Sequence, residues 1–358
     1  MSEQSNVLEK NGKRIPIRPE DHIAVGIDVH TKNTNVVVRK NGEEVAAWAS
    51  PADPRIVACS LRPCRGARHI VVYEAGPTGY TLYRTLKEEG FCVEVVAPGK
   101  TPQKPNEGNK TDHRDARELS QYAAAGLLQP IVVPSPQQER DRQVIRTRDQ
   151  MLEKRTRAKQ QIRSLLRMYG YGKPEWLDRW SQKAIRKLKE MDLPSSLRVA
   201  LDALVATVEM ADEQIKALEA RLAEIRRERY SGRADICQSH PGVGRLTAMN
   251  FLLEIYEPQR FEVARQLSTY LGLVPRIHQS GETAKTGRLR RAGQASLRGM
   301  LIQAAWQWVG NDENGRALYE RLVSNTGEPK KAIVGVARKI AVHLWAMLRR
   351  GEPYDPER

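Results

Sequence analysis

Four acidic residues in the first third of the chain have the types and spacing of a metal-binding set: Asp28, Glu74, Asp112 and Asp115. Asp28 ends the apolar run Ile23-Ala24-Val25-Gly26-Ile27, and Glu74 ends a second run, Ile70-Val71-Val72-Tyr73. A carboxylate at the end of a buried strand is costly unless a cation or another partner compensates it. Asp112 and Asp115 stand three residues apart in a polar stretch, a spacing that shares one helix face. Two strand-end acids and such a pair suggest convergent oxygen ligands, which suit Mg²⁺. Carboxylate-held Mg²⁺ is common equipment for phosphodiester chemistry.

The elements that must position these acids are legible in outline. Residues 22–28, 35–40, 44–49, 69–74, 92–97 and 130–133 read as strands, with Asn41-Gly42 a hairpin signal between the second and third. Residues 53–61, 79–89 and 111–125 read as helices. A three-strand meander followed by alternating strands and helices describes a mixed α/β sheet. A loop over 98–110, with three prolines and two glycines, precedes the helix carrying the Asp pair.

From Pro134 the texture becomes helical. Residues 139–169 read as one long helix with ten Lys/Arg against four acids, among them Lys154, Arg155 and Arg157. This excess fits either a solvated face or a phosphate-facing one. Further on, Leu197, Leu201, Leu204, Val208, Ala211, Ile215, Leu218, Leu222 and Ile225 follow alternating four- and three-residue steps. That is a heptad seam. A dimerising or arm-like coiled coil is the favoured reading, and a hairpin with 139–169 is the other.

Pro241-Gly242-Val243-Gly244 before a helix start resembles a helix-hairpin-helix turn, in which backbone N–H groups approach a phosphate. Gly242 and Gly244 would permit that approach. Residues 276–350 carry fourteen Lys/Arg and five acids. A basic, glycine-broken loop is expected over 279–293, with Ser280 beside Gly281. Ser280 could be a nucleophile, a phosphate-contacting donor or a turn residue. Arg276, Arg288, Arg290 and Arg291 could neutralise flanking phosphates.

Composition agrees with a polyanion partner. The 358 residues carry 59 Lys+Arg against 43 Asp+Glu, a net charge of +16. No apolar run is long enough for a membrane span, and the polar N-terminus lacks a signal-peptide core. The four cysteines form no CxxC pair, so free thiols in a reducing cytoplasm are expected.

Taken in order, several motifs resemble the DEDD/serine insertion-sequence transposases, which include the bridge-RNA-guided recombinases and are related to the pilin-gene invertases. They are Gly26-Ile-Asp28-Val-His, Glu74-Ala-Gly-Pro-Thr-Gly79, Lys110-Thr-Asp112-His-Arg-Asp115, the heptads, His240-Pro-Gly-Val-Gly244, Leu271-Gly-Leu-Val-Pro275, Ser280-Gly281, Gly287-Arg288 and Leu297-Arg298. The resemblance implies a ribonuclease-H-like, RuvC-type domain binding Mg²⁺ through Asp28, Glu74, Asp112 and Asp115. It also implies a transposase domain with Ser280 as nucleophile and Arg298 among its nucleic-acid contacts. The expected partners are DNA (element ends and target), a structured guide RNA, and further copies of the chain as a dimer and a synaptic tetramer. A cytoplasmic, nucleoid-associated location is expected. The organisation expected is a flexible tail over 1–20, the RuvC-like domain over 21–134, a helical or coiled-coil domain over 135–230, the transposase domain over 231–350 and a tail over 351–358. The residues alone leave two rivals open: a Mg²⁺ nuclease or junction resolvase that uses water, and a non-catalytic nucleic-acid-binding factor.

Overall fold

The structure, a computed structural model, describes residues 7–10, 12–98, 112–172, 174–280, 283–289 and 295–357, with only the backbone over 112–114, 275–280 and 283–289. The expected loop beyond residue 98, Arg290 and Arg291 lie outside the described residues. The chain divides into two compact units with the boundary between Val133 and Pro134.

The first unit begins with an antiparallel pair, β1 (Val7–Lys10) and β2 (Lys13–Pro16). This corrects the expectation of a loose tail. Leu8 is 1% and Ile17 3% exposed, and both join the main core of the unit. Ile15 packs against the same core.

The main sheet contains β3 (His22–Val29), β4 (Asn33–Lys40), β5 (Glu43–Pro51), β6 (Arg68–Glu74) and β7 (Val93–Val96), in the order β5-β4-β3-β6-β7. The pairs among β3, β4 and β5 are antiparallel, and β6 and β7 add in parallel. Asn41 and Gly42 both take positive φ, 51° and 89°, as a two-residue turn matched to strand twist requires. Residues 130–133, expected as a strand, contribute one isolated bridge between Val96 and Pro130.

Side chains alternate across the strands. Ile23, Val25, Ile27, Val71 and Tyr73 face helices α1 (Pro54–Leu61) and α2 (Thr81–Glu88). Ala24, Val72 and Val96 face α3 (Asp112–Ala124), meeting Leu119 and Ala123. Gly26 lies on this second face. A Cβ there would overlap the Ala116 carbonyl oxygen and the Ser120 amide nitrogen. The helix backbone therefore rests directly on the strand.

The second unit opens with α4 (Pro136–Met168), capped by a Ser135–Gln138 capping box. It continues through α5 (Gln182–Glu190) and α6 (Ser195–Ile225). Asp141 pairs with Arg229, Arg148 with Glu219 and Arg155 with Asp212. As α4 advances its partner numbers fall, so the two helices are antiparallel. Of the seam, Leu201, Val208, Ala211, Ile215, Leu222 and Ile225 are buried, joined by Val205. Ala158, Ile162 and Leu166 of α4 pack with Leu201, Val205 and Val208. The hairpin within one chain thus covers the seam expected for dimerisation, because α4 offers its own apolar stripe.

The remaining helices are α7 (Ser231–Gln238), α8 (Arg245–Ile255), α9 (Ala264–Tyr270), α10 (Ala295–Asn311), α11 (Glu313–Thr326) and α12 (Pro329–Arg350). They share a core that includes Phe251, Leu301, Trp308, Ile340 and Leu344. The expected loop after residue 279 is instead part of an antiparallel hairpin, β8 (Pro275–Ser280) with β9 (Thr283–Leu289). Within the core, His240 Nε2 lies 3.1 Å from His343 Nδ1. The His240 ring also meets Trp308 and Tyr354, so residue 354 is anchored where a tail was expected. Burial pulls His240 down to about 4. Burial, then the charges of His240, Lys339 and Arg350, pull His343 down to about 3.

Two predictions follow from this packing. Gly26→Ala should destabilise the first unit by about 1–3 kcal/mol through overpacking, read as a lowered melting temperature. An unchanged melt would contradict the close approach of α3. The histidine pair should make the second unit acid-sensitive. The unfolded chain binds protons near pH 6.5 and the folded one does not. The pair's contribution is therefore complete above about 6.5 and is lost as pH falls toward 4, by up to about 1.4 kcal/mol per pH unit for each histidine. Melting temperatures from pH 7 to 5 should fall less steeply in His343→Gln than in the parent. Equal slopes would contradict this.

Candidate active site

The acids at the two strand ends are placed by sheet register. β3 pairs with β6 as Gly26 with Val72 and Ile27 with Tyr73. The next residues on the two adjacent strands are Asp28 and Glu74. Alternation puts both on the α3 face, with Ala24, Gly26 and Val72. Both are half-buried at the edge of that face.

The helix brings the other two acids to the same end. Ala24 packs with Leu119 and Ala123, and Gly26 lies under Ala116 and Ser120. Moving along β3 toward Asp28 therefore moves toward the N-terminus of α3. Two strand residues span about 6.6 Å, the rise of roughly four helical residues. That step leads from Ala116–Ser120 to the first turn of α3, where Asp112 and the half-buried Asp115 stand. The Asp112 side chain lies outside the described residues. Among the described residues, no group of three His, Cys, Asp or Glu side chains closes a metal cage. Asp28, Glu74 and Asp115 share one end of one face and stop short of a preformed cluster.

Two neighbours of Asp28 are not among the expected site residues. His30 Nε2 lies 2.8 Å from Asp28 Oδ2. Asn35 is directly opposite Asp28 in the β3–β4 register and is 7% exposed. Arg39, on the same face of β4, donates to Ser120 Oγ at 3.1 Å, which ties that strand to α3. The signal for Asn35 is an amide at the head of the apolar run Val36–Val38. That for His30 is its place two residues after a strand-end acid.

In the second unit, Ser280 is the last residue of β8 and pairs with Thr283, so it stands where the hairpin turns. Arg276 and Arg288 lie on the two strands of this hairpin. Of the other serines near it, Ser268 donates to the Ala264 carbonyl at 2.9 Å, and Ser296 donates to Asp149. The two glycines of the Pro-Gly-Val-Gly turn differ. Gly244 is exposed at the N-cap of α8, and a Cβ there would meet nothing within 4 Å. Gly242, expected as a phosphate contact, is also packed closely against α10. Its φ is +86°, and a Cβ there would lie 2.5 Å from the Ala304 carbonyl oxygen and 2.8 Å from the Trp308 amide nitrogen. Gly242 serves helix packing.

The basic helix divides similarly. Lys154 and Arg157 are exposed. Arg155 is instead bound to Asp212 at 2.6 Å and fastens the hairpin. Lys159 lies over the Trp180 ring, and burial, then the neighbouring Arg155, lowers its ammonium pKa. Arg298 is half-buried at the start of α10.

The chain is similar to known proteins over both units. A transposase family model of the DEDD/IS110 type matches residues 25–170. The model described as "Transposase IS116/IS110/IS902 family" matches residues 234–320. The protein y4qE of Sinorhizobium fredii, named as a transposase, is 31% identical over 91% of this chain and 88% of its own length. The transposase of insertion sequence element IS1111A from Coxiella burnetii is 28% identical over 92% of this chain and 87% of its own. The pilin gene-inverting protein of Moraxella bovis is 30% identical over 34% of this chain and 39% of its own. With acids of the DEDD type on one sheet face and relatives of this extent, the chain belongs to the IS110/IS116/IS902 family of insertion-sequence transposases, enzymes that recombine DNA.

Proposed function

We propose that the chain cuts and rejoins DNA strands through a serine–phosphate link, with Asp28, Glu74, Asp112 and Asp115 holding Mg²⁺ and Ser280 as nucleophile. The observation that carries this reading is the convergence of both strand-end acids and the first turn of α3 on one face. An antiparallel meander continued by two parallel strands fits a ribonuclease-H-like, RuvC-type sheet. The donors are all carboxylate oxygens at a partly open edge, which suits a hard cation that keeps some of its water. When bound, Mg²⁺ stabilises charge on the transferring phosphate and leaving oxygen. His30 holds one oxygen of Asp28 and so orients the carboxylate.

Ser280 Oγ attacks phosphorus. The Oγ–P bond forms, the scissile P–O bond breaks, and the hydroxyl proton passes to the leaving sugar oxygen. The phosphoserine keeps the bond energy, and a hydroxyl of another strand displaces the serine and restores it. Arg276, Arg288, Arg290, Arg291, Arg298, Lys154 and Arg157 balance phosphate charge, and Gly244 exposes helix N–H groups. A structured RNA from the element pairs with element end and target and so carries sequence choice. Copies of the chain act as a dimer that pairs into a tetramer at synapsis. The net charge of +16 supports both polyanion partners.

Trapping the protein–DNA adduct and mapping it by mass spectrometry tests the reading. The adduct should lie on Ser280. Ser280→Ala should bind DNA and RNA yet cut at least about 10³-fold more slowly. Asp28→Asn should likewise bind and fail to cut in Mg²⁺. An adduct on another residue would reject Ser280, and strand exchange with no adduct would make water the nucleophile.

A further inference from the structure

A second basic feature is built from residues not assigned above. Helices α9, α11 and α12 line an open groove of about 420 Å³. Arg265 enters it from α9, Arg321 from α11, and Arg338 and Lys339 from α12. Among the described residues no Asp or Glu lines it. Among the described residues none of these four cations forms an ion pair, whereas Arg146, Arg148, Arg155 and Arg229 of the same unit each hold a carboxylate. All four are exposed at the rim. Leu322 forms an apolar wall so close to α12 that a Cβ on Gly335 would lie 2.9 Å from its Cδ1. Like charges gathered around one concavity repel each other, and a bound polyanion removes that cost.

The position of the groove sets it next to the β8–β9 hairpin. Val274 is part of its lining and is the residue before β8. The six residues Pro275–Ser280 are extended, so Ser280 lies no more than roughly 20 Å from the groove along the strand. Roughly 20 Å is the rise of about six base pairs.

We propose that the groove formed by Arg265, Arg321, Arg338 and Lys339 anchors the DNA backbone beside the Ser280 hairpin, holding phosphates a few nucleotides from the cut. This rests on the proposed function only for the choice of DNA as the anion. The groove contacts phosphates and reads no bases, so it tightens all DNA sequences alike.

The test is the salt dependence of binding of a short duplex of arbitrary sequence, measured by fluorescence anisotropy on the full chain. The triple variant Arg321→Gln, Arg338→Gln, Lys339→Gln should lower the slope by about two to three, since each phosphate contact adds about 0.9. Its melting temperature should stay near the parent's, because the three side chains are exposed. If the triple variant is unstable, Arg265→Gln alone should lower the slope by about 0.9. An unchanged DNA slope would overturn the proposal, as would a change seen only with a structured RNA. Repeating the measurement in Ser280→Ala separates the two readings. A groove effect that persists there stands whether or not Ser280 forms the adduct.

Discussion

The close approach of α3 to the sheet over Gly26 is the constraint on which the first unit depends. A side chain at that position would strike the helix backbone at Ala116 and Ser120. Its absence lets the helix lie flat on β3, with Leu119 and Ala123 against Ala24 and Val72. The rise of strand and helix then leaves no freedom in where the first turn of α3 falls. It falls at the end of the sheet face where Asp28 and Glu74 emerge on adjacent parallel strands. Asp28, Glu74 and the first turn of α3 are thus brought to one end of one sheet face by one missing methyl group and one register. The same register places the Asn35 amide across from Asp28.

The second unit handles charge by division of labour. Part of its large positive excess is used internally. Arg146 makes two hydrogen bonds to the buried Glu254, Arg148 reaches Glu219, and Arg229 grips the buried Asp141. Removing one partner of such a pair strands a buried charge, so these contacts fix helix register even where they add little net stability. Among the described residues, other cations form no ion pair and remain available to a polyanion. Lys154 and Arg157 on the helical hairpin, and the ring of cations around the α9–α11–α12 groove, are of this kind. A net charge alone cannot separate the two populations. Their partners decide it.

Much of this was legible in the sequence where local rules dominate. Asn41-Gly42 announced its turn because two positive φ values demand such residues. The runs before Asp28 and Glu74 read as strands because both faces are buried, and the α3 and α4 helices lie within a few residues of their expected limits. The heptad seam announced a helix with one apolar face but not what covers it, since α4 and a second chain offer the same chemistry. Elsewhere tertiary contacts decided the outcome. Leu8 and Ile17 draw the N-terminal segment into the core. A glycine-broken stretch became the β8–β9 hairpin. Gly242 looked like Gly244 until the neighbouring α10 backbone set them apart. Arg155 looked like Lys154 until Asp212 appeared across the hairpin.

We propose that Asp28, Glu74 and the first turn of α3 form one cation site. Crystals grown with Mn²⁺ in place of Mg²⁺ test it through anomalous scattering. A peak is expected at the end of the β3–β6 pair, with oxygens of Asp28 and Glu74 and at least one of Asp112 and Asp115 at ligand distance, roughly 2.1 Å. A peak held by other residues, with Asp28 and Glu74 turned away from it, would rule out this cation site.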